Sequence, residues 1–401
     1  MSPVNPTFAV LAILTALATC FFITKKVGPP ETEGRYASID GLRGYLAFAV
    51  FLHHSAVWYF YLHSGKWVVP PSNLYTHLGQ TSVALFFMIT GFLFYTKIID
   101  SRSRAIDWQK FFISRLLRLV PLYLFAMLLL VLVTVYRSNG TLNEPVPAMA
   151  KTLIKWLTFT MFGAPAINGL SDTWIVMSGV TWSLPYEWFF YLALPVAALT
   201  VRSIPPIPYL LLGVGSTAFA ATRGLELHNV LAFGGGIFAA LAVHYEALRQ
   251  VAMLKIAPAI LVACVVAVVS LFQTAYGYPQ LVLISIAFML IAGGCNLFGL
   301  LTNAVSRTLG EMAYSIYLLH GIILFTVITL VMGVENATQL PPIMYWLLIV
   351  AITPLVIIIS FTTFTRIEKP SMQRVPVVTA LLTRRFRRRA KRPEIVSGAV
   401  S

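Results

Sequence analysis

The sequence predicts an all-α, polytopic membrane protein with about eleven transmembrane helices. Three observations carry that reading. Of 401 residues, 58% are hydrophobic and only 11% charged, against ~25% charged in an ordinary soluble domain. Mean hydropathy is +0.81, and the apolar residues fall in runs close to the ~20 residues a spanning helix needs. The 29 Lys and Arg exceed the 14 Asp and Glu, giving a net charge of +15, and they gather at the ends of those runs. A soluble globule of this composition would lack the polar residues to cover its surface. Disorder, a collagen repeat and a coiled coil are excluded because neither the charge nor the period is present. Cys20, Cys264 and Cys295 all sit in apolar runs and read as small core residues, not as a disulfide framework.

The runs are 7–24, 44–62, 81–98, 111–135, 179–199, 207–222, 228–245, 256–273, 279–298, 309–331 and 343–365. Charge sets their number and direction. With the N-terminus outside and the chain alternating, the inside receives Lys25, Lys26, Arg35 and Arg43, then Lys97, Arg102, Arg104, Lys110, Arg115 and Arg118. Arg202, Arg249, Lys255, Arg307 and the basic C-terminal segment follow them, and only Lys66, Arg137, Lys151, Lys155 and Arg223 fall outside. Cytoplasmic loops carry the excess of Lys and Arg, and adding or dropping one span would scramble this asymmetry. No basic stretch precedes the first run and its positive charges follow it, so it reads as an uncleaved helix and not as a signal peptide. The outside loop 136–178 carries an expected surface helix around Ala150–Phe162. The charge run from Arg384 to Arg392 reads as a solvated anchor for anionic lipid headgroups, and nucleic acid is not an expected partner. No internal repeat supports a repeat-built transporter.

Ionisable groups at membrane depth are expensive and therefore functional candidates. Arg43 lies at the inner end of the second run. His54, eleven residues on, sits about 16 Å deeper at 1.5 Å per residue, near the middle of a core about 30 Å thick. Eleven residues are almost three turns, so Arg43 and His54 share a face, while His53 points about 100° away. Ala47 and Val50 lie between them on that face and leave an expected stripe for a thin chain. Glu187 is a carboxylate in an aromatic helix, and its plainer reading is a partner for an Arg or His. His320 also falls at mid-depth, with Tyr317 three residues back on nearly the same face, and its plainer reading is a packing histidine. Arg115 and Arg118, three apart on one face at the inner rim, form a fork suited to phosphate or pyrophosphate, unless they only anchor the chain.

Other routes to chemistry lack support. There is no GxSxG elbow, Walker loop or HExxH, and no His is followed five residues later by Asp. His, Cys and carboxylates do not cluster at metal spacing, so no metal is expected. Gly234 to Gly236 and Gly293–Gly294 read as sites of close helix packing.

Together these residues resemble the acyltransferase 3 family of integral membrane O-acyltransferases. The matching pieces are Ser38-Ile-Asp-Gly-Leu-Arg43 with His54, the segment from Leu85 to Phe92, Arg115-x-x-Arg118-x-x-Pro121-x-Tyr123, Trp182-Ser-Leu184 with Glu187 and Phe190-Tyr191, and Leu309-Gly310 through Tyr314, Tyr317 and His320. They run in the family's order over residues 36 to 370. The resemblance implies a ten-helix membrane acyltransferase domain, here 35–370, preceded by one extra helix and linker in 1–34 and followed by a basic cytoplasmic tail, 371–401. It implies transfer of an acyl group, commonly acetyl, from cytoplasmic acyl-CoA to a hydroxyl. The acceptor is usually a surface glycan such as lipopolysaccharide O-antigen, exopolysaccharide or peptidoglycan, and in other members a periplasmic glucan or a macrolide. It places the chain in a bacterial inner membrane, makes Arg43 and His54 catalytic, and gives Arg115 and Arg118, with Arg43, to the donor phosphates. Thr90 stands where Ser is common in the family. Many members also carry an appended periplasmic domain, so the resemblance leaves room for a periplasmic partner protein.

The expected mechanism has His54 as general base, Glu187 orienting the acceptor or the base, and His320 or a Tyr steadying the oxyanion, in a passage that joins the cationic mouth to the imidazole. The competing reading is a proton-coupled transporter or flippase, and a third is an inactive partner in a glycan-export complex. The charge asymmetry is testable directly. In intact cells a membrane-impermeant maleimide should label Lys151→Cys and leave Lys97→Cys unlabelled until the membrane is opened; the reverse pattern would invert the topology.

Overall fold

Peptide groups in hydrocarbon have no water to bond, so each spanning segment must satisfy its own backbone, and apolar runs therefore wind into helices. The computed structural model describes residues 2–30, 36–102 and 105–390, with side chains to 384. Arg35, Arg104 and the tail beyond 390 lie outside the described residues. Among the described residues there is no strand, only an isolated bridge between Ile167 and Leu170.

Four long helices open the chain: α1 (Pro6–Val27), α2 (Ala37–Ser64), α3 (Asn73–Asp100) and α4 (Trp108–Arg137). The excursion that follows holds α5 (Val146–Leu157), close to the expected surface helix, and the short α6 (Thr173–Val176). A 3₁₀ turn, Val180–Ser183, leads into α7 (Leu184–Ala198). Next come α8 (Ile207–Ala221), α9 (Leu227–Ala242), α10 (Glu246–Met253), α11 (Ala257–Leu271) and α12 (Tyr278–Gly293). The last part comprises α13 (Ala304–Glu311), α14 (Ala313–Phe325), α15 (Val334–Thr338), α16 (Pro342–Thr363), α17 (Lys369–Gln373) and α18 (Val375–Ala390).

The chain is a multi-pass, all-α membrane protein. Among the described residues seven helical stretches are long and apolar enough to cross a bilayer. The expected span 228–245 corresponds to α9, of 16 residues, which makes an eighth crossing only if counted together with α10, met at 102°. The remaining three expected spans correspond to α8, α11 and α12, of 15, 15 and 16 residues. At 1.5 Å per residue such helices cover only about 23 Å, short of a ~30 Å core. Outward faces are apolar: Leu124, Leu128, Leu132 and Val135 of α4 are all exposed, as lipid-facing residues must be.

The extra first helix is docked, not free. Ala12, Ala16 and Cys20, one turn apart, make a buried ridge of small side chains that lets α1 lie against α16 and α13. Phe8 stacks on Trp346 at 5.7 Å, and Thr24 and Thr308 share a 2.8 Å hydroxyl contact. The basic tail also begins as structure: α18 packs along α4, and Thr383 donates to Gln109 at 3.2 Å.

The tightest packing surrounds the start of α2. A Cβ on Gly41 would come within 1.9 Å of the Leu301 carbonyl oxygen, one on Gly44 within 2.6 Å of the Gly310 nitrogen, and one on Gly310 within 2.0 Å of the Asp40 carbonyl oxygen. Gly41 and Gly44 flank Arg43, so backbone meets backbone on one side of α2 and the arginine is turned to the other. Gly236 meets the Met88 carbonyl oxygen in the same way, and with Gly91 it seats α9 on α3. The packing reading of that glycine run thus holds at Gly236, whereas a Cβ at Gly234 would meet nothing within 4 Å. Gly310→Val should cut the yield of folded, monodisperse protein in detergent severalfold. Gly215→Ala, where an added Cβ meets nothing within 4 Å, should leave it unchanged; equal yields for both would contradict this packing.

Candidate active site

Two clusters of polar side chains lie one above the other inside the bundle. The first is cationic. Arg43 from α2, Arg115 and Arg118 from α4, Glu187 and Tyr191 from α7 and Tyr314 from α14 line one cavity of about 120 Å³. Its walls take the early halves of α2, α4, α7 and α14 and mostly the later half of α3.

The three guanidiniums converge as the spacing of Arg115 and Arg118 suggested. Asp40, Glu187 and Arg118 are charged neighbours of Arg43. Arg115 lies over the Phe94 ring at 4.9 Å, and the Tyr191 hydroxyl donates to Glu187. Among the described residues no carboxylate closes on these arginines at salt-bridge distance. Arg115 Nε is buried with no hydrogen-bond partner there. Three arginines and one carboxylate, Glu187, line the cavity itself, and with donors unspent they suit a polyanion better than a metal. Among the described residues no group of three or more His, Cys, Asp or Glu is placed to hold a metal ion.

A further carboxylate, absent from the sequence reading, completes this cluster. Glu368 is fully buried, at 0% exposure, at the end of the π-helical turn Phe364–Glu368 that extends α16. Ser315 donates to it at 2.5 Å and Thr363 in turn to Ser315 at 3.0 Å. Its charged neighbours are Arg118 and Arg43, and its second oxygen has no hydrogen-bond partner among the described residues. In the string Arg366-Ile-Glu368-Lys the residue looks like part of a solvated helix end. The available signal was its register with Ser360 and Phe364, both buried, at intervals of four.

The second cluster holds the histidines. His320 Nδ1 lies 2.9 Å from the Ile316 carbonyl oxygen. A carbonyl can only accept, so Nδ1 carries the proton and Nε2 of the neutral ring is an acceptor. That Nε2 is 3.0 Å from His54 Nδ1, which must therefore donate. His54 Nε2 is left as a bare lone pair. His320 is completely buried while His54 is partly exposed, so the outer ring of the pair is the one a substrate can reach. His53 is a structural residue. It donates to the Tyr75 carbonyl at 2.7 Å against Gly79, where a Cβ would come within 2.5 Å of the imidazole.

The structure thus unites Arg43, Arg115, Arg118 and Glu187, and separately His54 with His320, but it does not join the two sets openly. Neither histidine lines the cationic cavity. Tyr317 stands between them, its hydroxyl 2.7 Å from Ser183 Oγ and donating to the Val180 carbonyl at 3.2 Å. The expected stripe along α2 is corrected as well. Ala47 and Val50 are buried, at 0% and 1% exposure, and neither lines the cavity, because neighbouring helices fill that face. The expected open passage is likewise closed at Tyr317. Glu187, expected to orient the acceptor or the base or else to partner an Arg or His, sits with the guanidiniums and not in the histidine cluster.

The comparisons with known proteins place this multi-pass helical bundle in the acyltransferase 3 family. The chain belongs to that family, since a family model described as an acyltransferase domain matches residues 36–365. It is similar to acyltransferase MdmB of Streptomyces mycarofaciens, 28% identical over 177 residues, covering 44% of this chain and 42% of that protein. It is also similar to nodulation protein 10 of Rhizobium leguminosarum bv. viciae, 30% identical over 192 residues, covering 42% of this chain and 47% of the relative. The chain spans less than half the length of these curated relatives. No solved structure matches it.

Leaving buried charges without their partner costs about 3–5 kcal/mol. Glu368→Leu should therefore lower the melting temperature in detergent by several degrees, and Glu368→Gln, which keeps the Ser315 bond, by less. Equal melting for the wild type and both variants would contradict the cluster.

Proposed function

We propose that this protein is an O-acyltransferase of a bacterial inner membrane. It moves an acyl group, acetyl in the first instance, from cytoplasmic acyl-CoA to a hydroxyl of a cell-surface or exported glycan. The carbonyl-to-histidine-to-histidine chain that leaves His54 Nε2 unprotonated supports this best, because a general base must present a lone pair to the proton it takes.

In this scheme the N-terminus is outside and the C-terminus cytoplasmic, so the cationic cavity opens toward the donor. Arg43, Arg115 and Arg118 hold the phosphates of acyl-CoA. A cavity of about 120 Å³ is below the ~300–1,000 Å³ usual for small-molecule sites. The acyl-pantetheine arm therefore enters by parting the Ser183–Tyr317 contact. The acceptor hydroxyl arrives from the opposite side and gives its proton to His54 Nε2 as its oxygen attacks the thioester carbonyl. The carbon–sulfur bond breaks, and the CoA thiolate leaves with the proton His54 returns. His320 holds His54 in the working tautomer and shares the charge of the imidazolium. With both ring nitrogens of His320 engaged, the Tyr317 hydroxyl, turned from the Val180 carbonyl as the arm enters, is assigned to the developing oxyanion. Glu187 and Glu368 orient the guanidiniums, and no metal and no periplasmic partner protein enters the scheme.

Purified protein incubated with radiolabelled acetyl-CoA and cell-envelope glycan should place label in the glycan. Substrate movement without label would favour a transporter. His54→Ala should lower transfer by about 10²-fold or more while the protein stays folded, and full activity in that variant would refute the base assignment. Arg115→Ala with Arg118→Ala should raise the KM for acetyl-CoA at least tenfold with a smaller change in kcat. An unchanged donor dependence would remove the phosphate site.

A further inference from the structure

A second cavity lies on the other side of the partition. It has a volume of about 390 Å³, within the ~300–1,000 Å³ of small-molecule sites, and it sits at the end of the bundle that carries α5, α6 and Arg223. The short segment 180–187 serves both chambers. Ser183, Leu184 and Glu187 face the cationic cavity, whereas Thr181, Trp182, Pro185 and Tyr186 face this one. Trp174, Trp182 and Tyr186 give it aromatic walls, and Thr160, Thr181 and Arg223 add polar groups. Trp182 is 41% exposed, its indole set edge-on to Tyr186 at 5.8 Å.

The pocket is connected to the base through rings. Trp174, in its wall, meets Trp67 edge-on at 5.7 Å, and Trp67 lies nearly parallel to His54 at 6.3 Å. A ligand seated against Trp174 is therefore two ring contacts away from the imidazole, too far for its own hydroxyl to be the one deprotonated. Aromatic faces beside hydroxyl and guanidinium donors are the chemistry that grips a sugar ring, which has apolar C–H faces and a polar edge.

We propose that this pocket is an acceptor subsite for the sugar unit adjacent to the one that is acylated. One ring is held among Trp174, Trp182 and Arg223, and its neighbour in the glycan extends past Trp67 to His54. The inference rests on the acyl-transfer reading above and adds a requirement to it: the acceptor is an oligosaccharide, not a free sugar.

The test uses the full-length protein in detergent with mono- and trisaccharides of glucose and of N-acetylglucosamine. Wild-type protein should acetylate a trisaccharide with at least tenfold higher kcat/KM than the matching monosaccharide. Trp182→Ala should bring that ratio to within about twofold of one, with the KM for acetyl-CoA staying within twofold. No chain-length preference in the wild type, or a preference that survives Trp182→Ala, would overturn the subsite. If no sugar is acetylated by the wild type, the transferase reading fails on its own, and tryptophan fluorescence then decides about the pocket. Saturable quenching by a trisaccharide that is lost in Trp182→Ala supports a glycan site. Absence of quenching, or equal quenching by glycerophosphoethanolamine, overturns it in favour of no site or a lipid headgroup.

Discussion

The hydrogen bond between His54 Nδ1 and His320 Nε2, 3.0 Å long, is the interaction on which the rest of the account depends. Deep in a bundle a polar atom without a partner is costly, so the proton positions on two facing imidazoles are not free. The Ile316 carbonyl fixes one, that ring fixes the next, and the result is a lone pair at mid-depth in the one imidazole of the two that is accessible. No carboxylate is needed for this. A neutral backbone oxygen sets the tautomer, a role that buried Asp residues play in other catalytic triads.

The same economy of partners explains the basic end of the bundle. Gly41, Gly44 and Gly310 let α2 and α13 touch through their backbones, which aims Arg43 toward Arg118 across the cavity. Such a concentration of positive charge needs counter-charge to survive burial. Asp40, Glu187 and Glu368 supply it without closing a salt bridge among the described residues. The cavity lining itself holds three arginines and one carboxylate, which in the proposed scheme is where a polyphosphate binds. The Ser183–Tyr317 contact meanwhile stands between the charged chamber and the histidines, and in the proposed scheme it keeps the thioester apart from the outer solvent.

Much of this was legible in the sequence, along one axis. Hydropathy and charge give depth, so His54 and His320 were both placed at mid-membrane, Arg43, Arg115 and Arg118 at the inner rim, and His53 on a different face from His54. Azimuth relative to other helices is not encoded locally. The pairing of His54 with His320 joins residues 266 positions apart, and nothing within either segment names the other. For the same reason the stripe through Ala47 and Val50 was read as open, since small residues signal either a groove or a close neighbour. Glu368 was hidden by its setting among Arg366 and Lys369, where composition resembles a solvated end. The run 228–245 ended at the break between Ala242 and Glu246, but α10 beyond it was not read as a helix, because its eight residues, Glu-Ala-Leu-Arg-Gln-Val-Ala-Met, make no apolar run.

Sidedness tests the central claim most directly. Protein reconstituted in one orientation into sealed vesicles, with the glycan acceptor trapped on the face that bears Arg223, should be supplied with labelled acetyl-CoA on one side at a time. The account predicts label in the glycan when the donor is on the face that bears Arg115 and Arg118, and none when donor and acceptor share the Arg223 face. Transfer only when both are on the same face would contradict a base reached from opposite sides of the membrane.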